Sequence, residues 1–170
     1  IAGRSQIKLD AVKQRLAAPD IPILVADSDS KEDMARIAAQ SRVIISTVGP
    51  DARSGTTLLE ACAAEGTHYC DLTGEPQWMA SVFERVSDAA EESGARLIHC
   101  CGFDSIPSDL GVYVAQKTMM EKHGLYATSV SGRMGQSKGA VSGGTVASML
   151  LAMEQGISDP VARKALNDPY

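Results

Sequence analysis

The chain has 170 residues, of which 44% are apolar and 22% charged, and a net charge of -5 at pH 7. Those totals describe one well-buried globular domain with room for part of another, and no apolar run is long enough to cross a membrane. The acidic balance speaks against nucleic acid as a partner, because no basic face is available to meet phosphates. A small anion held by one or two local cations remains open.

Short apolar runs alternate with amphipathic stretches along the chain. Residues 1–4 (IAGR) read as the tail of a strand, and SQIKLDAVKQRLA as a helix with Ile7, Leu9, Val12 and Leu16 on its apolar face and Ser5 as N-cap. IPILVAD (21–27) is almost continuously apolar, as a strand covered on both faces must be. SKEDMARIAAQ (30–40) is a helix capped by Ser30, with acids in its first turn. RVIISTVGP (42–50) is a strand ended by Gly-Pro, and SGTTLLEACAAEG (54–66) a helix closing on Gly66.

THYCDL (67–72) is a short strand, followed by a long helix over 75–94 with Pro76 in its first turn and Gly94 after its last. ARLIHCCGF (95–103) is a further strand, and residues 106–124 form a helix ended by Gly124. Strands and helices alternating at this spacing predict an α/β fold, a Rossmann-type doubly wound parallel sheet. Beyond Gly124 the chain turns Gly- and Ser-rich, and TVASMLLAMEQG then reads as another helix. A boundary is therefore expected near residue 125, with 1–125 a partial dinucleotide-binding domain and 126–170 the start of a second α/β domain. The chain lacks an initiator Met and opens on a strand end, so a longer protein is expected, with the first strand and its Gly-rich loop upstream.

The four cysteines, Cys62, Cys70, Cys100 and Cys101, form no C-x-x-C pair, and His68, His99 and His123 are scattered. Reduced, silent thiols and no metal are expected, with His99 packed inside a strand.

In an open parallel sheet, ligands bind beyond the carboxyl ends of the strands. After the first strand, Gly3, Arg4 and Ser5 combine a guanidinium, a hydroxyl and a helix N-terminus, a setting for a 2′-phosphate and hence for NADP over NAD; a solvated Arg at a helix start is the plainer alternative. Asp27 and Ser28 follow the next strand, where an acid can receive the adenine amino group or simply make a turn. Thr47, Val48, Gly49 and Pro50 end the third, where a glycine admits a ligand to the backbone and Gly-Pro is also ordinary turn chemistry. Gly102, Phe103, Asp104 and Ser105 leave the last strand as a cofactor-side wall. Tyr69, Asp104 and Asp109 are the candidate proton donors, with Glu75 if buried; Asp71 and Glu75 serve equally well as acceptors of loop amides. SGGTVAS (142–148) opens a helix whose amides suit an anion, or a tight turn and a cap.

AGRS, STVGP, EACAAEGTHYCDLTGE, HCCGFDSIPSDLG and KGAVSGGTVAS together resemble the saccharopine dehydrogenase-like oxidoreductases, which include trans-acting enoyl reductases. The resemblance runs over nearly the whole chain, and its most specific pieces are Tyr-x-Asp-Leu-x-Gly-Glu and Gly-Phe-Asp-Ser-Ile-Pro-Ser-Asp-Leu-Gly. It implies NADPH, with Arg4 and Ser5 at the adenosine phosphate and Thr47 to Pro50 along the cofactor. Tyr69, Asp71, Gly74 and Glu75 fall at the next strand exit, and Gly102 through Asp109 at the one after. One departure stands out: the family often carries aromatics after Val-Gly-Pro, where this chain has Asp51 and Ser54.

The implied activity is NADP-dependent hydride transfer to a C=C or C=N bond of a small-molecule or lipid-like substrate, the chain alone being inactive. A non-catalytic scaffold on the same fold and saccharopine dehydrogenase proper are the rivals. A cytoplasmic protein, at most peripheral to a lipid surface and with a homodimer contact through the second domain, completes the expectation.

Overall fold

A computed structural model describes residues 1–136, 138, 139 and 142–168. The strands are β1 (Ala2–Gly3), β2 (Leu24–Val25), β3 (Val43–Ile45), β4 (His68–Cys70) and β5 (Leu97–Ile98). The helices are α1 (Gln6–Arg15), α2 (Lys31–Ala39), α3 (Asp51–Ser54), α4 (Thr56–Glu65), α5 (Pro76–Ser93), α6 (Ile106–His123), α7 (Gly143–Ser158) and α8 (Pro160–Asn167).

Local chemistry sets most of the boundaries. The Ser5 hydroxyl accepts the Lys8 N–H and the Ser30 hydroxyl accepts that of Asp33, so α1 and α2 begin where their caps stand. Gly66, Gly94 and Gly124 adopt φ of 73°, 76° and 69° at the ends of α4, α5 and α6, a left-handed geometry that other residues adopt at a cost. Around residue 50 the structure departs from the expected single helix over 54–66. A separate turn, α3, comes first, and Gly55 divides it from α4. A Cβ at Gly55 would lie 2.9 Å from both the Asp51 carbonyl oxygen and the Trp78 ring, which is why the break falls on a glycine.

All strand pairs are parallel, as the βαβ rhythm predicts, but the strands are short and form two sheets, β1-β2 and β3-β4-β5. Among the described residues no ladder joins β1 to β3. A cavity lies between them instead, lined by Ala2 and Gly3 on one side and Ile44, Ile45 and Ser46 on the other.

One core bridges the two sheets. Ile44, Tyr69 and Leu97 lie side by side in register across β3, β4 and β5, and pack with Leu24 and Ala26 under Met34 and Ile37 of α2, Leu58, Leu59 and Cys62 of α4, and Trp78, Val82 and Val86 of α5. Because side chains alternate across a strand, Val43, Ile45 and Ile98 point the other way. There they stay exposed, Ile45 by 73%. The 18 residues of α6 include none that is buried. The helical cover over the described residues is thus concentrated on one face of the three-stranded sheet.

Helices α7 and α8 extend the structure past residue 125 and rest on α5, with Leu151 and Ala162 buried and Gln77 Nε2 donating to Gln155 Oε1 at 3.2 Å. Among the described residues no helix is long and apolar enough to cross a membrane.

Candidate functional site

The carboxyl ends of the strands open onto two adjoining cavities. The first, of about 440 Å³, runs from Gly3 and Arg4 after β1, past Ser28 after β2, to Thr47, Val48 and Gly49 after β3, with Ser54 at its side. Its floor is apolar, built from Ala26, Met34, Ile37 and Leu58. The second, of about 450 Å³, begins at the same Thr47, Val48 and Gly49 and continues along Asp51, Leu72 to Glu75, Asp104, and the first turns of α7 from Ser142 to Ala152. The shared residues set the two cavities side by side along the strand exits, where open parallel sheets take their ligands. A Cβ at Gly49 would meet no atom within 4 Å, so the backbone there is open to close approach.

A buried polar cluster supports the second cavity. Glu75, 3% exposed, accepts the Asp51 and Ala52 N–H groups on Oε1 and Oε2, each at 3.0 Å, and the Ser148 hydroxyl on Oε1 at 2.7 Å. One carboxylate therefore caps α3 from outside and ties it to α7. Asp71, 2% exposed, accepts the Thr73 and Cys100 N–H groups on Oδ1, each at 3.1 Å, and its Oδ2 lies 2.7 Å from His99 Nδ1. Burial pushes the Asp71 carboxyl up, but the His99 hydrogen bond and charge, together with the Thr73 amide, outweigh it and hold the group below its ordinary value.

Asp51 goes the other way. Burial, with Asp71 and Glu75 adding repulsion against the pull of the Thr73 hydroxyl, raises its carboxyl to about 6. The pairing of Asp71 with Cys100 has a backbone consequence: Cys100 sits at φ 59°, left-handed and not a glycine, held by its own N–H on the acid.

The expected site residues divide clearly. Gly3, Arg4 and Ser28 line the first cavity, Thr47, Val48 and Gly49 line both, and Asp104 lines the second. Ser5 and Asp27 line neither and are occupied in local structure. Ser5 caps α1, and Asp27 accepts the Asp29 N–H at 3.1 Å while its own N–H donates to Asp33. Pro50 begins the turn into α3 without lining either cavity, and the Gly49–Pro50 peptide is cis.

Tyr69 is 1% exposed in the core, its hydroxyl has no partner among the described residues, and burial drives the phenol far above its ordinary range; it reaches neither cavity. Asp109 is exposed in the first turn of α6, and Phe103 and Ser105 also stand outside both cavities. Gly102 serves packing: a Cβ there would come within 2.8 Å of Leu72 Cβ, so the exits of β4 and β5 touch through this glycine. Gly102→Ala is expected to cost about 1 to 3 kcal/mol in urea unfolding, since neither backbone can yield without moving the strand exits; a cost below about 0.5 kcal/mol would show that the contact is soft.

Two participants have no role assigned from the sequence. Asp51 stands out in sequence only as a departure from the family pattern and Ser148 only as the last residue of SGGTVAS, and the contacts they make across the fold give them their place at the second cavity. All four cysteines are free, and burial pushes Cys62 up to about 12 and keeps Cys100 and Cys101 above their ordinary value.

Comparison with known proteins bears on this site. Residues 1–98 match the family model described as the saccharopine dehydrogenase NADP binding domain. A Mycobacterium tuberculosis protein whose name ascribes trans-acting enoyl reductase activity provisionally is 42% identical over the whole chain. Proteins named trans-acting enoyl reductase from Mycobacterium bovis and Mycobacterium ulcerans are each 39% identical, again over the whole chain. The chain spans 41% of the length of each of these relatives.

Proposed function

The chain belongs to the saccharopine dehydrogenase NADP-binding domain family, and from that premise we propose that it is the cofactor-binding part of an NADP-dependent oxidoreductase that reduces a C=C bond of an enoyl substrate. The observation that carries this is the pair of adjoining cavities along the strand exits, which share Thr47, Val48 and Gly49. Its dimensions and chemistry fit a dinucleotide laid across the strand exits: a cation at one end, an open glycine in the middle and a polar recess at the other end. Arg4 stands where an adenosine 2′-phosphate would be met, with Ser28 nearby, and it makes no ion pair among the described residues. NADPH, when bound, supplies the hydride.

The residues of the second cavity then hold and enclose the reacting groups. Of the proton-donor candidates of the sequence, Asp104 and the buried Glu75 line this cavity. Glu75 is engaged by the Asp51 and Ala52 amides and, with Ser148, keeps the wall in place, which leaves Asp104 as the donor. Residues 1–125 serve as the cofactor-binding unit, and 126–170 open a second unit whose first helix closes the nicotinamide end. The enoyl class follows from the names of the mycobacterial relatives; C=N reduction is the alternative bond chemistry for the same site.

The complete protein is expected to bind NADPH more tightly than NADH in titration calorimetry. Arg4→Ala should weaken NADPH by about tenfold to a hundredfold, as loss of a charge-assisted phosphate contact does, and leave NADH within about twofold. Equal losses for both cofactors would remove Arg4 from the phosphate. NADPH oxidation in the presence of a trans-2-enoyl thioester tests the reaction, and consumption of NADPH with a cyclic imine but no enoyl thioester would move the assignment to C=N bonds.

A further inference from the structure

The wall of the second cavity contains a polar atom that the fold leaves unserved. Asp51 is 6% exposed and lines the cavity, yet its Oδ1 has no hydrogen-bond partner among the described residues. Buried carboxylate oxygens are normally paired, so an orphan on a carboxylate in the wall of a cavity marks a group to which a ligand can supply the missing hydrogen. The carboxylates of Asp71 and Glu75 stand close enough to raise the Asp51 carboxyl, and a further anion is unwelcome there. The group that meets Oδ1 is therefore a neutral or cationic donor.

Another part of the lining of the same cavity is of opposite character. Helix α7 brings its N-terminal turn to the wall through Ser142, Gly144 and Thr145. Ser142 accepts the Thr145 N–H at 3.1 Å, while the amides before it have no carbonyl within the helix to satisfy them and favour an acceptor oxygen. A primary carboxamide has both halves in one planar group, an NH2 for the carboxylate and a C=O for the helix start. The cavity joins the dinucleotide path at Thr47, Val48 and Gly49, so the carboxamide that reaches it is the one on the pyridine ring of the cofactor.

We propose that Asp51 accepts a hydrogen bond from the carboxamide NH2 of the nicotinamide, with the first turn of α7 facing the carboxamide oxygen, and so fixes the rotation of the ring above the second cavity. The proposal rests on the reading of the two cavities as a dinucleotide site. It gives Asp51 a task toward the cofactor at a position where the resembling family often carries an aromatic.

A double-mutant cycle between protein and ligand tests it. NADP+ and its 3-acetylpyridine analogue, in which a methyl ketone replaces the carboxamide and the NH2 is lost, are each titrated calorimetrically into the complete wild-type protein and into Asp51→Ala. Wild type is expected to prefer NADP+ by about tenfold, the effect of a hydrogen bond to a charged acceptor, and the variant to bind the two within about twofold. A tenfold preference that survives in the variant, or a wild type that does not discriminate, overturns the role of Asp51.

If thermal melts show that Asp51→Ala does not fold, Asp51→Asn goes through the same cycle. It keeps the volume and a neutral acceptor, and its preference should drop by about threefold or more; an unchanged preference overturns the proposal. A wild-type protein with no affinity for NADP+ overturns the dinucleotide reading itself, whereas binding without discrimination overturns only the part assigned to Asp51.

Discussion

Asp71→Ala is expected to destabilise the fold by about 3 to 5 kcal/mol at pH 7, the range for removing one partner of a buried charged network. The acid is 2% exposed and serves three donors at once, the N–H groups of Thr73 and Cys100 and the ring of His99. Without it, two amides and an imidazole lose their acceptor together, and Cys100 loses the contact that holds it at φ 59°. Its pH dependence follows from a carboxyl held below its ordinary value of 3.8 in the fold. Such a group contributes stability that is present above pH 3.8 and is lost as the pH falls through the folded value. The gap between wild type and variant should therefore be full at neutral pH and shrink in acid. Urea unfolding of the complete protein at pH 7 and near pH 3 measures both, and a difference below about 1 kcal/mol at pH 7 would show the network to be dispensable.

Asp51→Asn is expected to do the reverse. In the fold the Asp51 carboxyl titrates at about 6, against 3.8 ordinarily, because burial and the neighbouring acids disfavour its charge. The folded state therefore binds protons more readily than the unfolded chain, and stability falls as the pH rises from about 4 to about 6. At about 1.4 kcal/mol per pH unit, ionisation costs the fold about 3 kcal/mol at pH 7. A neutral amide of the same shape removes that cost, less the contribution of the Thr73 hydroxyl and of an acid at the start of α3. A gain of about 2 kcal/mol at pH 7, absent at pH 4, is the expected outcome in urea. A gain that is the same at both pH values would point to packing rather than charge. Because Asp71 contributes to the repulsion, the two substitutions should not be additive. A fold that retains a costly acid beside a cavity is consistent with a functional use for it.

Much of the architecture is legible in the residue order alone. Ser5 and Ser30 cap the helices they precede, and Gly66, Gly94 and Gly124 end theirs, because caps and left-handed turns depend on a few adjacent residues. The strand exits are legible for the same reason: Arg4, Ser28 and Thr47 to Gly49 follow directly on apolar runs, and all of them line the predicted path. The last strand exit differs in detail. Gly102 and Phe103 look like a ligand-side wall in sequence, but the glycine is there to let Leu72 approach, and only Asp104 of that stretch reaches a cavity. Tyr69 shows the same limit, since alternation along β4 puts it in the core beside Ile44 and Leu97 rather than at the exit.

The order and type of the elements, the parallel pairing and the strand exits that border the site follow from the residue order, because each of these is written in contacts between near neighbours. Which acids act together is settled only by packing in three dimensions. Glu75 meets Ser148 of α7 and the start of α3, Asp71 meets His99, and Asp51 is left with an unserved oxygen. Those encounters join residues up to 73 positions apart, and burial, which raises one carboxyl while neighbours lower another, exists only once the chain has packed.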